Sequence, residues 1–148
     1  MKPIVVSTQV DRPREEVFAF LDVLANHEPF TNHLLIDWTY EGPAAGVGAK
    51  AQMRPNAPNA NDWVLMEVIA SRPPETIVEE SVGARGRRRT RGTYVLSERP
   101  DGGTDIRFEL EILEAPRAEQ RAAPLMRVWL KRANGKAMKR LRKQLQAS

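Results

Sequence analysis

Apolar and polar residues alternate at the start of the chain, with Ile4, Val6, Thr8 and Val10 on one side, until Asp11-Arg12-Pro13 interrupts them. A period of two predicts a strand over residues 3–10. Asp11 offers an acceptor to the free N–H groups of a new helix, and Pro13 suits a first turn, where its missing donor is not needed. Glu15 and Glu16 oppose the positive end of the helix dipole. Val17, Phe18, Leu21 and Leu24 then recur at three- and four-residue steps, which predicts a helix over about 13–24 with one apolar stripe. A second short helix is predicted over 26–32.

The middle of the chain reads as strands. In residues 33–41, Leu34, Ile36, Trp38 and Tyr40 alternate with Leu35, Asp37, Thr39 and Glu41, the pattern of a half-buried strand. The glycine- and proline-rich stretch 42–48 predicts a turn, 49–54 a strand, and 55–61 (PNAPNAN) a loop. Residues 63–70 are apolar on both faces apart from Glu67, which predicts a central strand. Further strands are predicted over 76–82, 87–97 and 104–113, the last two joined by the turn Pro100-Asp101-Gly102-Gly103.

The end reads as helix over about 118–146. At 100° per residue Met126, Leu130, Ala133, Ala137 and Leu141 form one stripe, with Trp129 on its shoulder. Pro124 marks the start or an early kink, and Gly135 points away from the stripe. A long amphipathic helix over an antiparallel sheet encloses volume, and such geometry makes cavities.

Composition narrows the classes. The 148 residues suffice for one domain with a real core, and 41% hydrophobic with 28% charged residues is ordinary for a globular chain. No cysteine is present, which excludes disulfides and thiol chemistry. The opening MKPIVV is too short an apolar run for a signal peptide, and no later run reaches membrane-spanning length. A cytoplasmic location without a transmembrane segment is therefore expected. Charge is split: residues 1–83 carry 6 Lys+Arg against 12 Asp+Glu, whereas residues 84–148 carry 17 against 7. Such a split signals either an acidic partner or two differently charged faces.

Four segments, residues 10–21, 42–49, 68–74 (VIASRPP) and 132–141, resemble the polyketide cyclase/dehydrase and lipid-transport superfamily (SRPBCC) in sequence and order. The resemblance implies one START-like domain over residues 1–148 with an α+β helix-grip fold. In that fold a curved antiparallel sheet of about seven strands wraps a long C-terminal helix, and two short helices follow the first strand, an edge strand. It also implies an apolar cavity between sheet and helix. Within this sequence Trp38, Met53, Met66, Tyr94, Phe108, Met126 and Trp129 are the candidate lining, because aromatic and methionine side chains offer large, adaptable apolar surface. Structural motifs argue fold rather than chemistry.

Three functions stay open: a carrier or sensor of a small hydrophobic or amphipathic ligand, a cofactor-free cyclase/dehydratase-like enzyme, and a basic module for an acidic partner. A carboxylate facing the cavity would have a raised pKa and could act as acid or base. Glu67, Glu79 and Glu80 are the candidates. Glu79 and Glu80 are adjacent, so only one can point inward; Glu80 is taken with Tyr94 as the polar part of the site. His27 and His33 match no metal spacing and are expected at the surface or the cavity mouth. No Gly-rich phosphate loop, nucleophile elbow or dinucleotide fingerprint occurs, so neither metal nor other cofactor is expected.

The run Arg85, Arg87, Arg88, Arg89 and Arg91 is the least ordinary feature. It suits an anionic surface, whereas nucleic acid is not favoured because no aromatics are interleaved for base stacking. If the run recruits anions, replacing Arg87, Arg88 and Arg89 with Ser weakens binding to anionic vesicles. The loss should shrink as salt rises, since exposed charges are screened within about 8 Å at physiological ionic strength. Vesicle co-sedimentation across a salt series measures this, and absence of binding at low salt leaves the arginines as solvated surface.

Overall fold

The computed structural model describes residues 2–58 and 62–147. Part of the loop predicted over 55–61 lies outside the described residues. Strand β1 (Ile4–Val10) leads into α1 (Arg14–Leu21), a 3-10 turn at Leu24–Asn26, and α2 (Glu28–Thr31). Six strands follow: β2 (Leu35–Glu41), β3 (Lys50–Pro55), β4 (Val64–Arg72), β5 (Thr76–Gly83), β6 (Arg88–Glu98) and β7 (Thr104–Glu114). Helices α3 (Arg117–Arg121) and α4 (Ala123–Ala147) close the chain.

The seven strands form one curved antiparallel sheet in the order β1-β7-β6-β5-β4-β3-β2. Consecutive strands from β2 to β7 pair as hairpins or longer turns, and β1 completes the sheet against β7, from Ile4 opposite Leu110 to Val10 opposite Thr104. The first strand is thus an edge, as expected. Chain direction must change abruptly after Val10 so that α1 and α2 can cover the concave face.

Several local expectations are corrected. Asp11 does not cap α1; the carbonyl of Pro13 accepts from the N–H groups of Glu16 and Val17 instead. Asp11 stands too early in the chain to reach them. The C-terminal helix breaks at Ala122, leaving α3 as a separate turn of helix, with Pro124 in the first turn of α4. Strand β4 is interior to the sheet, yet Leu65 and Ile69 on its outer face are exposed, because only the concave face is covered.

The core lies between that concave face, α1 and the second half of α4. Val17, Phe18, Leu21 and Phe30 pack with Val68, Ile77, Ile106 and Leu141. Burial along α4 is unequal. Ala137, Met138, Leu141 and Leu145 are buried, whereas none of residues 123–134 is. Polar contacts reinforce the buried half: Arg12 Nε donates to the Leu145 carbonyl at 3.0 Å. Between the halves, His33 Nε2 lies 2.8 Å from the Ala133 carbonyl and its Nδ1 2.8 Å from Arg140 Nη1, which pins the helix to the loop before β2.

This asymmetry gives a stability prediction. Leu141→Ala removes a side chain of 0% exposure and should cost about 2–5 kcal/mol. Leu125→Ala, at a position 78% exposed, should stay within about 0.5 kcal/mol. Urea denaturation of both variants measures the contrast; similar losses would mean that the first half of α4 also packs on the sheet.

Candidate functional site

Beneath the first half of α4 the sheet and helix enclose a cavity of about 560 Å³. Alternation along the antiparallel strands brings Met66, Ser81, Thr90, Tyr94, Phe108 and Leu110 to its floor. Met126, Trp129, Leu130 and Met138 form the roof, and Phe30, Leu35 and Trp38 close one end. The lining is mainly apolar, with a few polar groups set into it.

Six of the eight residues singled out from the sequence line this cavity: Trp38, Met66, Tyr94, Phe108, Met126 and Trp129. Trp129 is 54% exposed, which places its indole at the mouth. Trp38 reaches the lining through a bulge. Between Ile36 and Thr39 strand β2 carries one residue more than β3 opposite it, and Asp37 adopts a left-handed conformation (φ 59°). An extra residue reverses the alternation, so Leu35 shares the cavity with Trp38 and Ile36 does not.

The other two residues do not reach the cavity. Met53 is fully buried in the core beside it. Glu80 points to the convex face, where its carboxylate accepts from Arg91 Nε and Nη2 at 2.9 and 2.7 Å. Register decides this: Glu79 stands opposite Gly92, an inward position, and period two sends Glu80 outward. The inward carboxylate is Glu79.

Glu79 meets His27 and Tyr94 at the inner part of the cavity. His27 is 1% exposed rather than at the surface or mouth, because it follows Leu24 and precedes Phe30 at three-residue steps and turns inward with them. That spacing is the signal by which the sequence could have revealed it. His27 Nε2 donates to the Leu21 carbonyl at 2.6 Å, which leaves Nδ1 as an acceptor in the neutral ring. Nδ1 lies 3.8 Å from Glu79 Oε2. This is not an ion pair at neutral pH. Burial lowers His27 to about 4, only partly offset by its hydrogen bond to Leu21 and the charge of Asp22. Burial likewise raises Glu79 to about 8. The Tyr94 ring stands edge-on to His27 at 5.5 Å and 4.7 Å from Phe108, and burial followed by the Glu79 charge raises its hydroxyl well above the usual value.

At the opposite end, Arg88 Nε donates to Glu119 Oε1 at 2.7 Å, a two-pronged pair that ties β6 to α3 beside the cavity. Other members of the arginine run are also engaged. Arg85 lies 3.6 Å from Asp62, and Arg89 and Arg91 both approach Glu80. Much of the run's charge is therefore neutralised locally. Among the described residues no group of three or more His, Asp or Glu is placed to hold a metal ion, and no helix is long and apolar enough to cross a membrane.

No protein-family model matches the chain, and no protein of curated function matches it in sequence. Solved structures do. TTHA0849 from Thermus thermophilus superposes with a TM-score of 0.74 at 15% identity, over 95% of this chain and 94% of that one. The ginseng (Panax ginseng) major latex-like protein 151 gives 0.61 at 10% identity, over 89% and 95%. DynU16, of the dynemicin biosynthetic locus, gives 0.65 at 15% identity; 98% of this chain covers 47% of it. The fold is the helix grip. With these helix-grip structures the likeness is one of backbone architecture, so the chemistry of this cavity must be argued from its own residues.

Glu79 makes stability depend on pH. In the unfolded chain its carboxyl ionises near the ordinary 4.5, but in the fold it keeps its proton up to about 8. Its contribution is full below 4.5 and is lost as pH rises to about 8. His27 acts oppositely, with stability present above 6.5 and lost as pH falls through about 4. Between pH 6.5 and 8 the native protein should therefore lose stability more steeply than Glu79→Gln, by up to about 1.4 kcal/mol per pH unit. Urea denaturation at several pH values tests this, and equal slopes would mean that the carboxyl is already ionised in the fold.

Proposed function

We infer that this protein binds a small hydrophobic or amphipathic molecule in the cavity between the sheet and α4, as a carrier or sensor. The single observation that carries the reading is the cavity itself: about 560 Å³, apolar over most of its wall, with polar groups at defined points. Ligand sites of drug-sized molecules run from about 300 to 1,000 Å³ and have this make-up. The half-exposed Trp129 at the mouth supports entry from that side.

A second reading, a cofactor-free cyclase or dehydratase, is favoured by the convergence of Glu79 and His27. A neutral carboxylic acid and an unprotonated imidazole in one apolar site are a matched acid and base. In a dehydration Glu79 would give its proton to the departing hydroxyl and His27 Nδ1 would take the proton from the neighbouring carbon, releasing water and leaving a double bond. The arginine run supports a third role, contact with an anionic surface, less well, since Arg85, Arg88, Arg89 and Arg91 already have carboxylates nearby.

N-phenyl-1-naphthylamine, whose fluorescence rises in apolar surroundings, tests the ligand site. One equivalent should bind the native protein. Thr90→Trp, which fills the floor, should weaken binding at least tenfold with the fold retained by circular dichroism. Trp129→Ala should weaken it with a stability loss of less than about 1 kcal/mol, since half of the indole is already in water. An unaltered affinity in Thr90→Trp would place the probe elsewhere and remove the reading.

A further inference from the structure

We propose that the inner part of the cavity is a hydroxyl-recognition subsite, in which Glu79 and His27 together hold one uncharged hydroxyl group of an otherwise apolar, aromatic ligand. The proposal deepens the ligand-binding reading and rests on it. Its starting point is an unpartnered atom. Glu79 is 6% exposed and lines the cavity, and its Oε2 has no hydrogen-bond partner among the described residues. A buried carboxyl oxygen without a partner costs free energy and calls for an explanation.

The surroundings are built around that carboxyl. Gly92 stands directly opposite Glu79 in the register, and a Cβ there would lie 2.8 Å from Phe108 Cε1 and 3.2 Å from Glu79 Oε1. Any side chain would displace the Phe108 ring or the carboxyl; glycine leaves the niche they occupy. On the other side His27 is held in one tautomer by its bond to the Leu21 carbonyl, so the Nδ1 lone pair remains free. The 3.8 Å between Nδ1 and Oε2 is too long for a hydrogen bond. One oxygen about 2.8 Å from each atom would bridge it.

Donor and acceptor directions select the group. With burial keeping Glu79 protonated and His27 neutral at pH 7, the subsite offers one O–H donor and one nitrogen acceptor. A hydroxyl accepts from the first and donates to the second. A carbonyl would leave Nδ1 unpaired. A carboxylate would bring a charge into a site whose lining arginines are already engaged, Arg88 by Glu119 and Arg127 by the Lys2 carbonyl. A primary ammonium would have to displace the Glu79 proton. The rings of Phe30, Tyr94 and Phe108 around the pair suit a flat aromatic body.

Binding of 2-naphthol, naphthalene and naphthalen-2-ylmethylammonium at pH 7, followed by calorimetry or by fluorescence, tests the proposal. In the native protein 2-naphthol should bind at least tenfold more tightly than naphthalene, because a site with buried polar groups discriminates against the analogue that leaves them unpaired. Glu79→Leu should abolish that preference while keeping naphthalene binding, and Glu79→Gln, which retains a neutral donor, should keep most of it. Equal affinities of 2-naphthol and naphthalene overturn the subsite but leave the cavity as a ligand site. A preference for the ammonium replaces it with a cation site, and a preference surviving in Glu79→Leu locates the hydroxyl elsewhere; both overturn it. Failure of all three probes removes the ligand-binding reading and the subsite together. Should a variant not fold, the ranking of the three probes on the native protein decides alone.

Discussion

A straight helix of 25 residues, roughly 37 Å long, cannot follow a curved sheet along its whole length, and the rest of this structure depends on that mismatch. The helix resolves it by packing at one end. Its second half, with Ala137, Met138, Leu141 and Leu145, closes the core, and His33 grips the helix through Ala133 and Arg140. The first half lies over the cavity floored by β4 to β7, so Met126, Trp129 and Leu130 are apolar without being fully buried. The same apolar stripe therefore serves stability at one end of the helix and a cavity at the other.

Within the cavity the polar groups are unequally distributed, and the two ends work differently. Where Arg88 meets Glu119, opposite charges satisfy each other and join sheet to helix beside the opening. Deeper in, nothing offsets the burial of Glu79, and the charge of Asp22 only partly offsets that of His27. Desolvation then wins over Coulombic attraction and both groups are held neutral, which is why a separation of 3.8 Å does not become a salt bridge. A neutral acid beside a neutral base suits both recognition of a ligand and proton transfer to it. The proposed carrier and enzyme readings thus rest on one set of residues, differing in whether the bound molecule has a bond that this pair can break.

Element positions were legible from local patterning. Period-two alternation, apolar runs and turn chemistry together located all seven strands within a few residues. Six of the eight selected side chains stand where a concave face needs large apolar groups. The misreadings have a common form. Glu80 in place of Glu79 is a shift of one residue in phase, and neither carboxylate carries a local mark of its direction. The reversed alternation at Asp37 and Trp38 comes from a bulge. His27 had its inward spacing from Leu24 and Phe30 in plain view, but a lone histidine in a short polar stretch reads as surface until its neighbours are known to be buried.

By itself the sequence determined what each segment becomes and in what order, because hydrophobic period, proline and glycine act over a few residues. It determined too that the C-terminal helix has one apolar stripe and a basic opposite side. Only the tertiary structure decided which face of β5 turns inward, that Gly92 lies against Glu79, that His27 approaches that carboxyl from 52 positions earlier in the chain, and which half of α4 is buried. These depend on strand register and on contacts between segments distant in sequence, and such contacts exist only when the whole sheet has closed and the helix has found the part of it that it can touch.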